Sequence, residues 1–274
     1  MILDKIIEHK RQEVADRKRL EPIARLERSP YFATPALSLR KYLQRPDKSG
    51  IIAEFKRQSP SKGPIQPYAD VERITIGYMQ AGAAALSVLT DTPFFGGSNK
   101  DLETARHFNF CPILRKDFII DSYQVIEAKA IGADAILLIA SCLSREQIQQ
   151  LARLATDLSM EVLLELHDVS EVGKICPEVQ LIGVNNRNLQ DFSVDLAQSE
   201  QLAKQLPSDR VWVSESGIRS SADLIRLREA GYQGFLIGTH FMKQPDPPRA
   251  CRRMVDEVQG QKVDTSIGAY PSIH

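Results

Sequence analysis

The stretch Ile51-Ile52-Ala53-Glu54-Phe55-Lys56-Arg57-Gln58-Ser59-Pro60-Ser61-Lys62-Gly63 decides how the rest of the chain is read. It begins as an apolar run, the pattern of a buried strand, and turns charged before ending in Ser-Pro-Ser-Lys-Gly. Side chains alternate along a strand, so Glu54 and Lys56 face one side while Phe55 and Arg57 face the other. A carboxylate and an ammonium on an otherwise apolar strand are costly to bury without a use. The loop that follows offers hydroxyls, a lysine and a glycine, a composition suited to an anion. A strand that merely surfaces into a polar loop has the same pattern, so the choice rests on the sequence around it.

Downstream, the pattern alternates. Helices are expected over 68–81, 100–109, 121–131, 144–158, 169–175, 195–205, 220–230 and 247–258. Strands are expected over Ala84–Thr90, Pro112–Lys116, 134–140, Glu161–Leu166, Gln180–Asn185, Arg210–Ser214 and Gly234–Gly238. With the opening strand these make eight units, spaced by about 26 residues, the size of a strand–helix unit. Ala81-Gly82-Ala83, Ile131-Gly132-Ala133 and Ala230-Gly231-Tyr232 each put glycine where a helix end needs positive φ. Several strands are almost continuously apolar, as strands buried on both faces are. Eight such units predict an α/β fold, a closed (β/α)8 TIM barrel, over an open doubly wound sheet. No GxGxxG follows the first strand, which also weakens a dinucleotide-binding reading.

Upstream, residues 2–20 read as an amphipathic helix with Ile2, Leu3, Ile6, Ile7 and Val14 roughly on one face. Residues 21–50 hold several prolines and one short helix, about 36–43. The expected organisation is one barrel domain over 1–258, with an N-terminal helical extension over 1–50. A tail over 259–274, with its Gly, Pro and polar residues, is expected to be flexible or laid on the surface.

The 274 residues carry 35 Lys plus Arg against 35 Asp plus Glu, a net charge of zero. That argues against bulk binding to nucleic acid or an anionic membrane, so any anion site is local. The longest apolar runs, such as 135–140, are too short to span a bilayer. The N-terminus lacks the apolar core of a signal peptide, and a cytoplasmic location is expected. Cys111, Cys142, Cys176 and Cys251 are scattered without metal-ligand spacing, which suits structural thiols in a reducing compartment and no metal site.

In such barrels the chemistry sits at the C-terminal ends of the strands. Those ends read Glu54 and Lys56, Thr90 and Asp91, Arg115 and Lys116, Ser141, Glu165, Asn185 and Arg187, Glu215 and Ser216, then Gly238 and Thr239. Ionisable groups from distant parts of the chain converge there, which favours a site. Glu215-Ser216-Gly217-Ile218-Arg219 and Ile237-Gly238-Thr239-His240 follow strands 7 and 8, where barrels often bind phosphate. Ser59, after strand 1, neighbours strand 8 in a closed barrel and can complete the cup. Lys116 and Glu165 form an acid–base set if the lysine's pKa is lowered and the glutamate titrates near neutrality. A static ion-pair network of Lys116 with Glu54 or Glu215 fits the same residues. His9, His107, His167 and His274 read as surface or packing residues.

Four segments carry a family resemblance: the opening stretch, Leu114-Arg115-Lys116-Asp117-Phe118, Gly183-Val184-Asn185-Asn186-Arg187-Asn188-Leu189 and Ser214-Glu215-Ser216-Gly217-Ile218. In order and spacing, from residue 2 to about 258, the chain resembles indole-3-glycerol-phosphate synthase. The resemblance implies a barrel whose N-terminal extension packs over the catalytic mouth. It implies conversion of 1-(2-carboxyphenylamino)-1-deoxyribulose 5-phosphate to indole-3-glycerol phosphate, carbon dioxide and water, in tryptophan biosynthesis, with no cofactor or metal. By resemblance Lys116 is the general acid and Glu165 the base. Lys56 holds the anthranilate carboxylate, Glu54 and Asn185 hold hydroxyls and orient the lysines, and Arg187 and Glu215 complete the polar network. Ser59, Ser216, Gly217, Gly238 and Thr239 bind the phosphate, and Phe95, Phe118 and Leu137 wall the aromatic ring. His240 departs from the family, where a small residue is usual. The expected partner is a phosphorylated small molecule, with no nucleic acid and no membrane, for a monomer or a weak homo-oligomer. Two rivals share parts of this pattern. A sugar-phosphate isomerase on the same barrel has no need of Lys116 with Glu54-x-Lys56, and a non-catalytic phosphometabolite sensor has no need of Lys116 or Glu165.

Overall fold

Apolar runs that are buried on both faces have one arrangement that leaves no sheet edge, a closed cylinder. The computed structural model, which describes residues 2–188 and 191–260, has that form. Eight parallel strands run in order around it: strand 1 Ile51–Phe55, strand 2 Ala85–Leu89, strand 3 Ile113–Lys116 and strand 4 Ala135–Ile139, then strand 5 Glu161–Leu166, strand 6 Leu181–Asn185, strand 7 Val211–Glu215 and strand 8 Gly234–Ile237. Strand 8 closes on strand 1 with Ile52 opposite Leu236. Along strand 1 the alternation runs as expected. Ile52 joins an inner cluster with Leu114, Leu137, Leu163, Val213 and Leu236, while Ile51, Ala53 and Phe55 pack outward on the helix layer. Gly82, Gly132 and Gly231 all take positive φ between helix and strand.

The expected elements are present, most of them shortened at one or both ends. Three four-residue helices, Ile23–Leu26, Thr92–Phe95 and Thr239–Met242, escaped the sequence reading, as did a small ribbon pairing Gln58–Ser59 with Gly63–Pro64. Such elements span about one turn, too short to show a period. They are held by local bonds, as where the Asp91 carboxylate accepts from the Phe94 N–H at 2.9 Å. The expected tail lies outside the described residues apart from Gln259 and Gly260.

The N-terminal extension divides between the two ends of the barrel, which corrects the expectation that it packs as a whole over the mouth. Leu39 and Leu43, on the short helix Leu39–Leu43, join the inner cluster beside Ala84, Ala85 and Val211. Those are the N-terminal ends of strands, so this helix plugs the base, where exposed apolar ends would otherwise meet water. The helix Ile2–Leu20 alone reaches the opposite end, with Ile2, Leu3 and Ile6 over the mouth.

Lys10 pins that helix. It follows Ile6 and precedes Val14 by four residues each, so it lies on the buried stripe. Its ammonium, 1% exposed, sits 2.9 Å from Asp117, 3.0 Å from Asp91 and 2.9 Å from Glu13. Burial opposes that charge, but the carboxylates of Asp117 and Asp91 outweigh it and raise the lysine's pKa. Burial holds Asp91 above the usual carboxylate range, whereas for Asp117 Lys10 and Arg115 overcome burial and hold it well below. A second anchor is Arg17, 2.7 Å from Glu127, which also meets Arg115 at 2.6 Å.

Replacing Lys10 by Met keeps the stem and leaves two buried carboxylates facing each other. Breaking a buried pair this way costs about 3–5 kcal/mol. The expected result is a lower urea midpoint and new protease cleavage within residues 2–20, with partial recovery when Asp91→Asn is added. Parent-like resistance in Lys10→Met would show that the apolar stripe alone holds the helix.

Candidate active site

At the C-terminal ends of the strands lies a cavity of about 480 Å³, roofed by Ile2, Leu3 and Ile6. It is lined by Glu54, Lys56, Lys116, Glu165 and Asn185, and by Ser59, Arg187, Glu215, Ser216, Gly217, Gly238, Thr239, Phe95, Phe118 and Leu137. Barrel closure thus brings together every residue given a role by the resemblance, whereas the strand-end residues Thr90, Asp91, Arg115 and Ser141 do not line the cavity.

Strand 3 ends in Lys116 and its side chain points inward, two residues after the interior Leu114. The ammonium donates to Glu165 at 3.2 Å and to Glu215 at 3.0 Å, and is 15% exposed. Burial works against its charge, yet Glu215, Glu165 and Glu54 raise its pKa. The lowering expected of a catalytic lysine is therefore reversed, because three carboxylates face one cation. The two glutamates separate. Burial raises both, but for Glu165 it is outweighed by Lys116, His167 and a hydrogen bond from Asn185, so its pKa falls below the usual range. Glu215 stays above that range, because burial and the neighbouring Glu165 outweigh its share of Lys116. Glu165 is thus ionised well below neutrality rather than near it, another correction. Asn185 is oriented by accepting from the Arg187 main-chain N–H at 3.0 Å, which turns its amide nitrogen to Glu165.

On the other wall Lys56 donates to Glu54 at 2.6 Å. Two glycines leave room for the carboxylates. A Cβ on Gly183 would collide with Glu215 Oε1, and one on Gly238 with Glu54 Oε1. Gly238, read from sequence as a phosphate contact, also makes this space.

The cup after strands 7, 8 and 1 carries several marks of a ligand site. Ser59 Oγ is buried and has no hydrogen-bond partner among the described residues. Ser216 holds φ 67°, a strained value for a residue with a side chain, and Gly217 follows at φ 85°. Asn186 fixes this turn, donating to the Glu215 and Ser216 carbonyls at 3.1 Å each. Lys62, Arg219, His240 and Lys243 also line this part of the cavity. The Phe95 and Phe118 rings lie 6.0 Å apart, and Leu137 and Ile6 line the same cavity.

Sequence reasoning missed four things here. Lys10 and Asn186 act one layer behind the lining; Lys10 was visible as a cation on an apolar stripe. Lys62 and Arg219 stand in loops already read as suited to an anion, whereas Lys243 lies in a turn where periodicity is silent. His167, read as a surface or packing residue, lies with Nε2 3.2 Å from Glu165 Oε1. It is two residues beyond Glu165 on the same strand run, so it falls on the same side. His9 and His107 are exposed, and His274 is outside the described residues.

Comparisons with known proteins point to one family. A family model described as indole-3-glycerol phosphate synthase matches residues 3–254. An indole-3-glycerol phosphate synthase of Bacteroides thetaiotaomicron is 49% identical over 258 residues, covering 94% of this chain and 99% of its own. Those of Acinetobacter baumannii and Campylobacter jejuni are 41% and 39% identical, over 94% and 93% of this chain and 97% and 100% of theirs. Among solved structures, a tryptophan synthase α-subunit from Pyrococcus furiosus superposes with TM-score 0.59 at 12% identity, over 78% of this chain and 99% of its own. A thiamine phosphate pyrophosphorylase from the same organism gives 0.57 at 17%, over 81% and 99%. These two share the barrel only. The family model and the three relatives, which match near full length on both sides, make the chain a member of the indole-3-glycerol phosphate synthase family.

Proposed function

We propose a division of labour among the lining residues for the family's reaction, a decarboxylating lyase step of tryptophan biosynthesis. Family membership implies a phosphorylated small-molecule substrate. Among the described residues no helix is long and apolar enough to cross a membrane. The reaction joins the ring carbon that bears the carboxylate to the ketone carbon, expels carbon dioxide and then removes water.

The observation that carries the assignment is Lys116, held charged between Glu165 and Glu215 between the apolar wall and the anion cup. As the ring carbon attacks, the carbonyl oxygen gains negative charge. A charged lysine can meet that charge and then give it a proton. Phe95, Phe118 and Leu137 hold the aromatic ring, and Lys56 holds its carboxylate until carbon dioxide leaves. The phosphate sits against Ser59, the Ser216–Gly217 turn, Gly238 and Thr239, where the unpartnered Ser59 hydroxyl gains a partner. Glu165, already ionised, takes the CH proton during dehydration. Glu54, Asn185, Arg187 and Glu215 hold hydroxyls and keep the two lysines placed. The helix Ile2–Leu20 excludes water during these steps.

Lys116→Met keeps most of the side-chain volume and deletes the proton. It is expected to lower kcat by at least about 10²–10⁴-fold, with a smaller change in KM because the phosphate and carboxylate contacts remain. Glu165→Gln is expected to accumulate an intermediate that has lost carbon dioxide but not water. Single-turnover product analysis reads both; normal turnover in Lys116→Met refutes its role, and unreacted substrate alone in Glu165→Gln refutes the later placement of the base.

His240 lines the cup and is half-buried; burial lowers its pKa, with Asp223 and Arg219 acting in opposite senses. It is therefore neutral at pH 7. If its ring faces the bound phosphate, the anion favours the protonated form and binding tightens as pH falls through the ring's pKa, which burial holds below the ordinary histidine value. Titrating inorganic phosphate against pH in the parent and His240→Ala cancels the ligand's own titration. Identical profiles would leave the ring a packing role only.

A further inference from the structure

The reaction assigned above does not balance in protons on Lys116 and Glu165 alone. The substrate enters as a carboxylate and that charge is lost with carbon dioxide, so each turnover consumes one proton. One proton goes to the carbonyl oxygen as the ring closes. A second goes to the resulting hydroxyl, which leaves as water. Only one returns, when Glu165 removes it from the CH group. Glu165 can hand that one to Lys116 across 3.2 Å, which readies the lysine for the next cycle. After ring closure, however, Lys116 is spent before the hydroxyl has left. It needs a proton while the substrate fills the cavity and the mouth is covered.

We propose that His167 supplies that proton, recharging the Lys116–Glu165 pair from behind. This rests on the roles proposed above for those two residues. Glu165 presents Oε2 to Lys116 and Oε1 to His167 Nε2, at 3.2 Å each. Glu165 lines the cavity and His167 does not, so the ring sits away from the substrate. The main chain of His167 is pinned on both sides. Its N–H donates to Glu171 at 2.7 Å, and its carbonyl accepts from Gln198 at 2.6 Å. The ring is not pinned: neither nitrogen makes an aligned hydrogen bond among the described residues. Both nitrogens are buried, so the 12% of the side chain that is exposed is carbon, and a flip of the ring exchanges nitrogen and carbon positions.

The charged and titratable groups around it come from three elements. Glu165 faces the ring from strand 5, and Glu171 of the following turn accepts from the main-chain N–H beside it. Lys174 of that turn is directed elsewhere, onto the carbonyls of Ala140 and Leu143 at 2.6 and 3.0 Å. Cys142, after strand 4, is close to both Glu165 and Glu171, and burial first, then Glu165, raises its pKa to about 12, so it stays a neutral thiol. In the transfer, the Nε2–H bond breaks, Glu165 takes the proton and passes it to the neutral Lys116 amine, and water reprotonates the imidazole. His167 touches no substrate; it is a positioning residue for the proton supply.

The test uses the full chain and its carboxyphenylamino substrate in single turnover, following carbon dioxide release and indole fluorescence separately from pH 6 to 9. His167→Gln keeps a hydrogen-bonding group of similar reach but cannot carry a proton. Carbon dioxide release is expected at the parent rate. Dehydration is expected to slow by at least about tenfold and to lose its pH dependence. Imidazole added to His167→Gly is expected to restore it. Dehydration at the parent rate and profile overturns the proposal and leaves recharging to Lys56 or to the open mouth. A pH-independent loss that imidazole does not restore also overturns it, in favour of a packing role. The parent run separates the two levels: absence of indole there refutes the reaction itself.

Discussion

One cation shared by two buried carboxylates governs this molecule. Lys116 is almost enclosed, and an enclosed ammonium persists only if fixed negative charge repays its lost hydration. Glu165 and Glu215 supply that charge from strands 5 and 7, so the ammonium ties together three strands that are distant in sequence. The two carboxylates cannot share it equally. Glu165 has Asn185 and His167 as well and stays ionised, whereas Glu215, whose Oε1 is set against Gly183 with no hydrogen-bond partner among the described residues, is pushed up. Inequality between two like groups is what lets a site hold a charged acid and an ionised base at once.

The same logic recurs one layer out. Lys10 stands between Asp91 and Asp117 as Lys116 stands between its glutamates, and Asp117 adjoins Lys116 in the chain. The cover of the mouth is therefore anchored next to the group it shields. The base of the barrel is closed by a different means, the leucines of the helix Leu39–Leu43, which need only apolar strand ends to pack on. An extension that reads as one unit in sequence thus performs two tasks, electrostatic at one end and hydrophobic at the other.

Much of this was legible in the residues. Eight apolar runs at regular spacing leave few architectures open, because strands without polar faces must be covered on both sides. The strand ends then offered Glu54, Lys56, Lys116, Glu165, Asn185 and Glu215 within a longer set that also held Thr90, Asp91, Arg115 and Ser141. The family motifs lay on those same ends. What stayed hidden was set by groups that meet only after closure. The short helices and the ribbon have no period to show. His167 looked like any histidine after a strand until Glu165 was found beside it.

Protonation was the least accessible property of all. Sequence determined that a lysine and a glutamate would share the mouth, and from chemistry alone their pKa values were expected to approach neutrality. The tertiary structure moved them apart, raising the lysine and lowering the glutamate. A pKa depends on every charge within several ångströms and on how much water remains. Chain order determines which residues reach the strand ends; only the closed barrel determines which of them stand next to one another.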